Sequence, residues 1–100
     1  MKSTVQSFEW DESKNLANQK KHGISFEDAC EVFGDPLHVT LFDPSSGHEE
    51  RWRTYGVVDG IALLMIAHTD SDDDGIEIVR IISARRATRH ERQHYERENG

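Results

Sequence analysis

The 100-residue chain holds one cysteine, two prolines, eight per cent aromatic residues and no apolar run longer than residues 61–67. Each scarcity excludes something. With Cys30 alone, neither an intramolecular disulfide nor a thiolate zinc cluster can form, and such usage fits a reducing compartment. An apolar run this short cannot cross a bilayer as a helix. Residues 1–10 lack a basic start followed by an apolar stretch, so no secretory signal is expected and a cytoplasmic location is. At 35% hydrophobic and 31% charged residues, the chain can build one core; this implies a single domain over residues 1–100, without a long cleft between two lobes.

Positive charge is also scarce, at 12 Lys and Arg against 19 Asp and Glu, for a net charge of −7. It is unevenly spread: residues 1–79 carry 6 basic against 16 acidic side chains, and residues 80–100 carry 6 against 3. An acidic chain is a poor general binder of polyanions, because such affinity comes from many cations neutralising phosphates. A basic segment on an acidic body points instead to a confined anion site, the plain alternative being a solvated helix face.

Hydrophobic periodicity gives the element order. Residues 5–10 read as a short strand or extended lead-in. Asp11 caps a helix over residues 11–22, acidic in its first turn and ending in Lys20, Lys21 and His22, with Gly23 as the stop and Leu16 and Ala17 as inward anchors. Ser25 opens a second helix whose Phe26, Ala29, Cys30 and Phe33 form one stripe, which places Cys30 in the core. After Pro36 the period changes to two. Strands are expected over residues 38–42, 50–58, 61–69 and 76–84, separated by turns at 43–47, 59–60 and 70–75. Asp59-Gly60 suits a tight primed turn, and the short connections make neighbouring strands antiparallel. Thr88 and Glu91 form a capping box that opens a last helix reaching about residue 97. The expected class is α+β, with two N-terminal helices, an antiparallel sheet of about four strands and a C-terminal helix.

Two motif matches fail on context. His90-Glu91-x-x-His94 has the zincin spacing, but the residues after it offer only Glu96 or Glu98 on the same short helix as a third ligand, and neither can close a tetrahedral site. Residues 70–75 match half a calcium loop, yet Ile81 stands where a bidentate glutamate is required and the flanks are strands. No metal is expected, and no cofactor.

The remaining constellation is cationic. Arg80 shares a strand face with Ile78 and Ile82, where a guanidinium needs an anion, either Glu50 or a nearby aspartate, or a phosphate. Arg85 and Arg86 leave the same strand end, and Lys20, Lys21 and His22 add a second basic element. Such groups suit RNA cleavage in which the 2'-hydroxyl is the nucleophile and the protein supplies a base, an acid and cations. Glu50 or His22 would serve as base or acid, and Arg80, Arg51 and Lys21 would stabilise the transition state. Trp52 and Tyr55 can stack bases, although aromatic residues on a sheet are commonly core.

Taken in order, Phe8-Glu9-Trp10-Asp11-Glu12, Lys21-His22-Gly23-Ile24-Ser25-Phe26-Glu27-Asp28-Ala29, Val32-Phe33-x-Asp35-Pro36, Glu49-Glu50-Arg51, His68-Thr69 and the block from Arg80 through Arg85-Arg86-Ala87-Thr88 to Tyr95-Glu96 closely resemble the BrnT toxin family. The resemblance spans residues 8–96. It implies a RelE-like fold and a ribonuclease toxin of a bacterial type II toxin-antitoxin module that blocks translation. It also implies a BrnA-like ribbon-helix-helix antitoxin as partner, with operator DNA engaged only through that complex. Carried over by position, its K-H-G block is Lys21-His22-Gly23, its E-E-R block is Glu49-Glu50-Arg51 and its R-I-I-S-A-R block runs from Arg80 to Arg85. Together with the reading of the residues themselves, Lys21, His22, Glu50 and Arg80 are the catalytic candidates and Arg51, Trp52, Arg85 and Arg86 the substrate-binding ones. A catalytically inactive module that only binds antitoxin is the alternative.

Overall fold

The computed structural model describes residues 5–100. Along the chain run β1 (Val5–Glu9), α1 (Glu12–His22), α2 (Phe26–Ala29) with a 3-10 turn over Cys30–Gly34, β2 (Val39–Phe42), β3 (Trp52–Val58), β4 (Ala62–Asp73), β5 (Ile76–Arg86) and α3 (Arg89–Asn99). The strands form one sheet in the order β1-β5-β4-β3-β2. β2 to β5 make the expected antiparallel meander. β1 adds a fifth strand, parallel to β5 at the sheet edge, with Phe8 beside Val79 and Glu9 beside Arg80. The sheet is therefore mixed and five-stranded, a correction to the four antiparallel strands expected. The sequence signal of β1 is weak because only Phe8 faces the core while its neighbours are exposed.

Three further differences have local causes. The second helix is one α-turn that tightens into a 3-10 turn, which brings Val32 fully inside beside Phe26 and Ala29. The acidic stretch continues β4 as far as Asp73, and the turn is only Asp74-Gly75, both with positive φ of 53° and 85°. In α1 the inward residues are Asn15 and Asn18, whereas Leu16 is 60% exposed. Asn15 Oδ1 accepts from Phe26 N at 2.8 Å and so ties α1 to α2. Asn18 Nδ2 donates to Ala84 O at 2.9 Å, and its Oδ1 accepts from Ala84 N at 3.1 Å. β1 pairs with β5 only as far as Arg80, so Asn18 satisfies the bare edge of β5 beyond it.

The sheet has a helical face and an open face. Against the helical face pack Phe26, Ala29, Val32, Leu64, Ile66, Val79, Ile81 and Ala84, joined by Phe8, Trp10 and Phe33. Full burial of a side chain such as Phe26 contributes about 2–3 kcal/mol. Gly56 admits the 3-10 turn to this face: a Cβ there would lie 2.8 Å from both Val32 Cγ1 and Val32 O. The second cluster, Tyr55, Leu63, Met65, Ala67 and Tyr95, lies on the open face. Tyr95 is the only buried residue of α3, and its hydroxyl donates to Asp35 Oδ2 at 2.7 Å. Burial and the Asp35 carboxylate push that phenol up to about 12.

A bulge shapes the open face. Ala67 pairs with Ser83 but His68 pairs with Ile81, which leaves Ile82 as an extra residue on β5. Val79, Ile81 and Ala84 therefore remain in the helical core while Ile82 packs on the open-face cluster.

Candidate functional site

Strand alternation and the pairing register define the open face. One row across the sheet is Leu41, Arg53, Ala67 and Ser83; the next is Val39, Tyr55, Met65 and Arg85. Farther along, Thr69 stands beside Arg80. Asp43 N donates to Arg51 O at 2.9 Å and extends the β2–β3 ladder one pair, so Arg51 continues the phase of Arg53 and Tyr55. Small residues at Ala67 and Ser83 leave the floor between the arginines low.

Glu91 organises the covered part of this face. It closes the capping box with Thr88, its Oε1 accepting from Thr88 N at 2.8 Å. Both carboxylate oxygens also take Arg85, at 2.8 and 3.0 Å, and Oε2 accepts from the Tyr55 hydroxyl at 3.0 Å. Burial opposes ionisation, but the Arg85, Thr88 and Tyr55 hydrogen bonds outweigh it and hold Glu91 at about 2. One side chain thus fixes the start of α3 and aims Arg85. Arg53 lies 3.3 Å from Asp43 Oδ1 and 4.0 Å from Glu91 Oε2. Leu41, Arg53, Tyr55, His90, Glu91 and His94 enclose a hollow of about 280 Å³.

A second hollow, of about 230 Å³, runs along the β5 edge and is lined by Lys14, Ala17, Asn18, Lys21, His22, Ile82 and Ser83. The basic last turn of α1 is held there because Asn18, one turn earlier, is locked onto Ala84. Lys21 and His22 accordingly meet the strand that carries Arg80 and Arg85.

The predicted residues divide by face. Arg80 and Arg85 belong to the open face, Arg51 is in phase with it, and Lys21 and His22 border it along the β5 edge. Arg80 is partnered by Glu9 at 3.5 Å, on β1, instead of by Glu50 or an aspartate, and both side chains are about half exposed. Glu50 is exposed in the loop before β3. Trp52 and Arg86 are not brought to the same face. Trp52 packs edge-on against Phe42, with centroids 5.5 Å apart, and pairs with His68 of the helical face. Arg86 lines a cleft with Gly23, Ile24 and Asp28. Adjacent strand residues point oppositely, so Arg85 and Arg86 cannot share a face.

Arg53, Glu91 and Asp43 carry polar contacts that sequence reasoning assigned no role in a site. The alternation Arg51, Arg53, Tyr55 was a visible signal for the first of them. The capping role of Glu91 concealed its hold on Arg85.

Fold and face together define a small α+β domain with a guanidinium-bearing sheet surface framed by a basic helix end, a confined cationic patch on an acidic body. Comparison with known families narrows this class. The family model described as the ribonuclease toxin, BrnT, of type II toxin-antitoxin systems matches residues 10–91, and the chain belongs to that family. Membership makes it a toxin of the ribonuclease kind, with RNA as substrate class and an antitoxin as partner. Among solved structures, the crystal structure of the Brucella abortus ribonuclease toxin BrnT superposes with a TM-score of 0.59 at 23% identity, covering 85% of this chain and 99% of that one. At that identity the likeness bears on the fold. Comparison with curated proteins gives no match.

Proposed function

We propose that the chain is a metal-independent endoribonuclease that cleaves RNA by attack of the 2'-hydroxyl on the adjacent phosphodiester, acts in the cytoplasm and thereby blocks translation. The observation that carries this reading is the meeting of Lys21 and His22 with the open-face strand that bears Arg80 and Arg85. The nucleophile belongs to the substrate, so the protein needs only a base, an acid and cations for the charge developing on phosphorus. His22 and Glu50 take the proton-transfer roles. Lys21, Arg80 and Arg51 face the phosphoryl oxygens, and Arg85, oriented by Glu91, holds the RNA strand. Glu9 releases Arg80 readily, since an exposed pair 3.5 Å apart is a weak competitor for a dianionic transition state. Trp52 and Arg86, on the other face, have no part in gripping the same phosphodiester.

The partner is proposed to be a ribbon-helix-helix antitoxin of the BrnA kind that neutralises the toxin and carries it to operator DNA. The purified chain incubated with RNA in EDTA should cut it to products ending in 2',3'-cyclic phosphate. Intact RNA would favour the inactive antitoxin-binding alternative, and cleavage abolished by EDTA would remove the metal-independent mechanism. Expression should arrest growth, and co-expression of the neighbouring gene product should relieve the arrest.

A further inference from the structure

The hollow beneath the first turns of α3 lies outside the proposed catalytic groups, yet it adjoins them through Arg85 and Glu91. It has an apolar wall of Leu41 and Tyr55, and His90 and His94 stand one helical turn apart above it. Two of the side chains that line it, Arg53 and His94, carry buried nitrogens, Nε and Nε2, without a hydrogen-bond partner. Buried polar atoms are normally paired. Those two atoms are closed to solvent, and His94 Nε2 lies 3.8 Å from Glu98 Oε1, but Arg53 Nη1 stands 4.0 Å from Glu91 Oε2, beyond hydrogen-bond length, so the arginine keeps a donor for an incoming molecule.

The charges decide what kind of ligand. Arg53 is already met by Asp43 at 3.3 Å and stands 4.0 Å from Glu91, whose carboxyl stays ionised down to about 2. A phosphate entering here would confront the Glu91 carboxylate beside an arginine whose charge Asp43 already meets. A neutral planar group would not. Aromatic and imidazole walls stack on bases, and an arginine supplies donors only. We propose that this hollow receives one unpaired nucleobase of the RNA next to the cleaved bond, and that Arg53 selects a base with a ring carbonyl, guanine, uracil or cytosine, over adenine. This rests on the ribonuclease reading and adds to it the origin of sequence preference.

The test is sequencing of the RNA ends produced by wild type and by His94→Ala and Leu41→Ala, neither of which belongs to the catalytic set. Wild type should disfavour adenine at one fixed position beside the cut by about tenfold, and the variants should bring that to below about twofold while total cleavage stays within a few-fold. A preference unchanged in both variants, or none against adenine in wild type, overturns the proposal. If wild type cuts no RNA, the ribonuclease reading fails separately, and the hollow is then judged by NMR with 2'-O-methylated oligouridylate and oligoadenylate. Ring shifts of His90 and His94 with the first and not the second support the base site; equal or absent shifts reject it.

Discussion

The two faces of one sheet are finished to different standards. On the helical face even the polar groups are satisfied: Asn15 and Asn18 bond backbone atoms, and Thr54 lies 2.7 Å from His68 Nε2, whose Nδ1 is 3.0 Å from Asp70. On the open face α3 is anchored by a single buried side chain, and two buried nitrogens lack partners. Interiors that only stabilise are fully paired, whereas binding surfaces keep donors in reserve. The helical face should therefore govern stability and the open face activity, and substitutions can be chosen to separate them.

The largest effect is expected on the helical face. Phe26→Ala removes a side chain with no exposed surface from the centre of the core and should cost about 3–5 kcal/mol in denaturant unfolding. If the division of labour holds, the cleavage rate per folded molecule stays within a few-fold. A comparable fall in kcat/KM on the folded fraction would mean that the faces are not independent.

The converse experiment is Arg80→Ala. Loss of a cation that faces the transition state should lower kcat/KM by about 100-fold or more, with KM changed far less than kcat. Stability should shift by less than about 1 kcal/mol, because the pair with Glu9 is half exposed. An unfolding midpoint that collapses with the activity would reassign Arg80 to structure.

Asn18→Ala tests the seam between the faces. It leaves Ala84 N and O unpaired at the β5 edge, and about 2 kcal/mol of stability should be lost. Because Asn18 seats the helix end that carries Lys21 and His22, activity should also fall, by about tenfold. Asn18→Asp keeps the acceptor but sets a buried carboxylate oxygen against the Ile24 and Ala84 carbonyls, and should cost at least as much stability as the alanine.

That seam also marks the limit of what could be read from the chain. The meander was legible because β2 to β5 alternate and their turns carry Gly and Asp; Asp59-Gly60 indeed takes φ of 56° and 66°. The capping box was legible because Thr88 and Glu91 interact within one turn. Asn18 was not, since an asparagine on a helix looks solvated until the strand edge that it satisfies is known. Leu16 misled for the converse reason: hydrophobicity marked it as an anchor, while hydrogen bonding had claimed the inward positions. For the candidate site, residue type located the basic elements, and the register alone showed that Arg85 and Arg86 diverge. The bulge at Ile82, which no local pattern announces, set which β5 residues accompany Arg80.

The smallest effect separates the faces by pH. Burial, resisted by Asp70, lowers the pKa of His68 below its ordinary 6.5, so the folded state favours the neutral ring. The unfolded chain takes up the proton first, and stability present above about pH 6.5 declines as pH falls below that value. Glu91 behaves as a carboxylate held down to about 2 from 4.5. Its contribution is intact above 4.5 and disappears only as pH falls toward 2. Stability measured by denaturant between about pH 8 and pH 2.5 should thus drop in two separate steps, the upper from the helical face and the lower from the open face. His68→Gln should flatten the first step and leave the second, whereas Glu91→Gln should leave the first and shrink the second, which Asp35 and Asp43, also held below the usual carboxylate range by their hydrogen bonds, share. A single step that responds to both substitutions would show that the two faces unfold as one electrostatic unit.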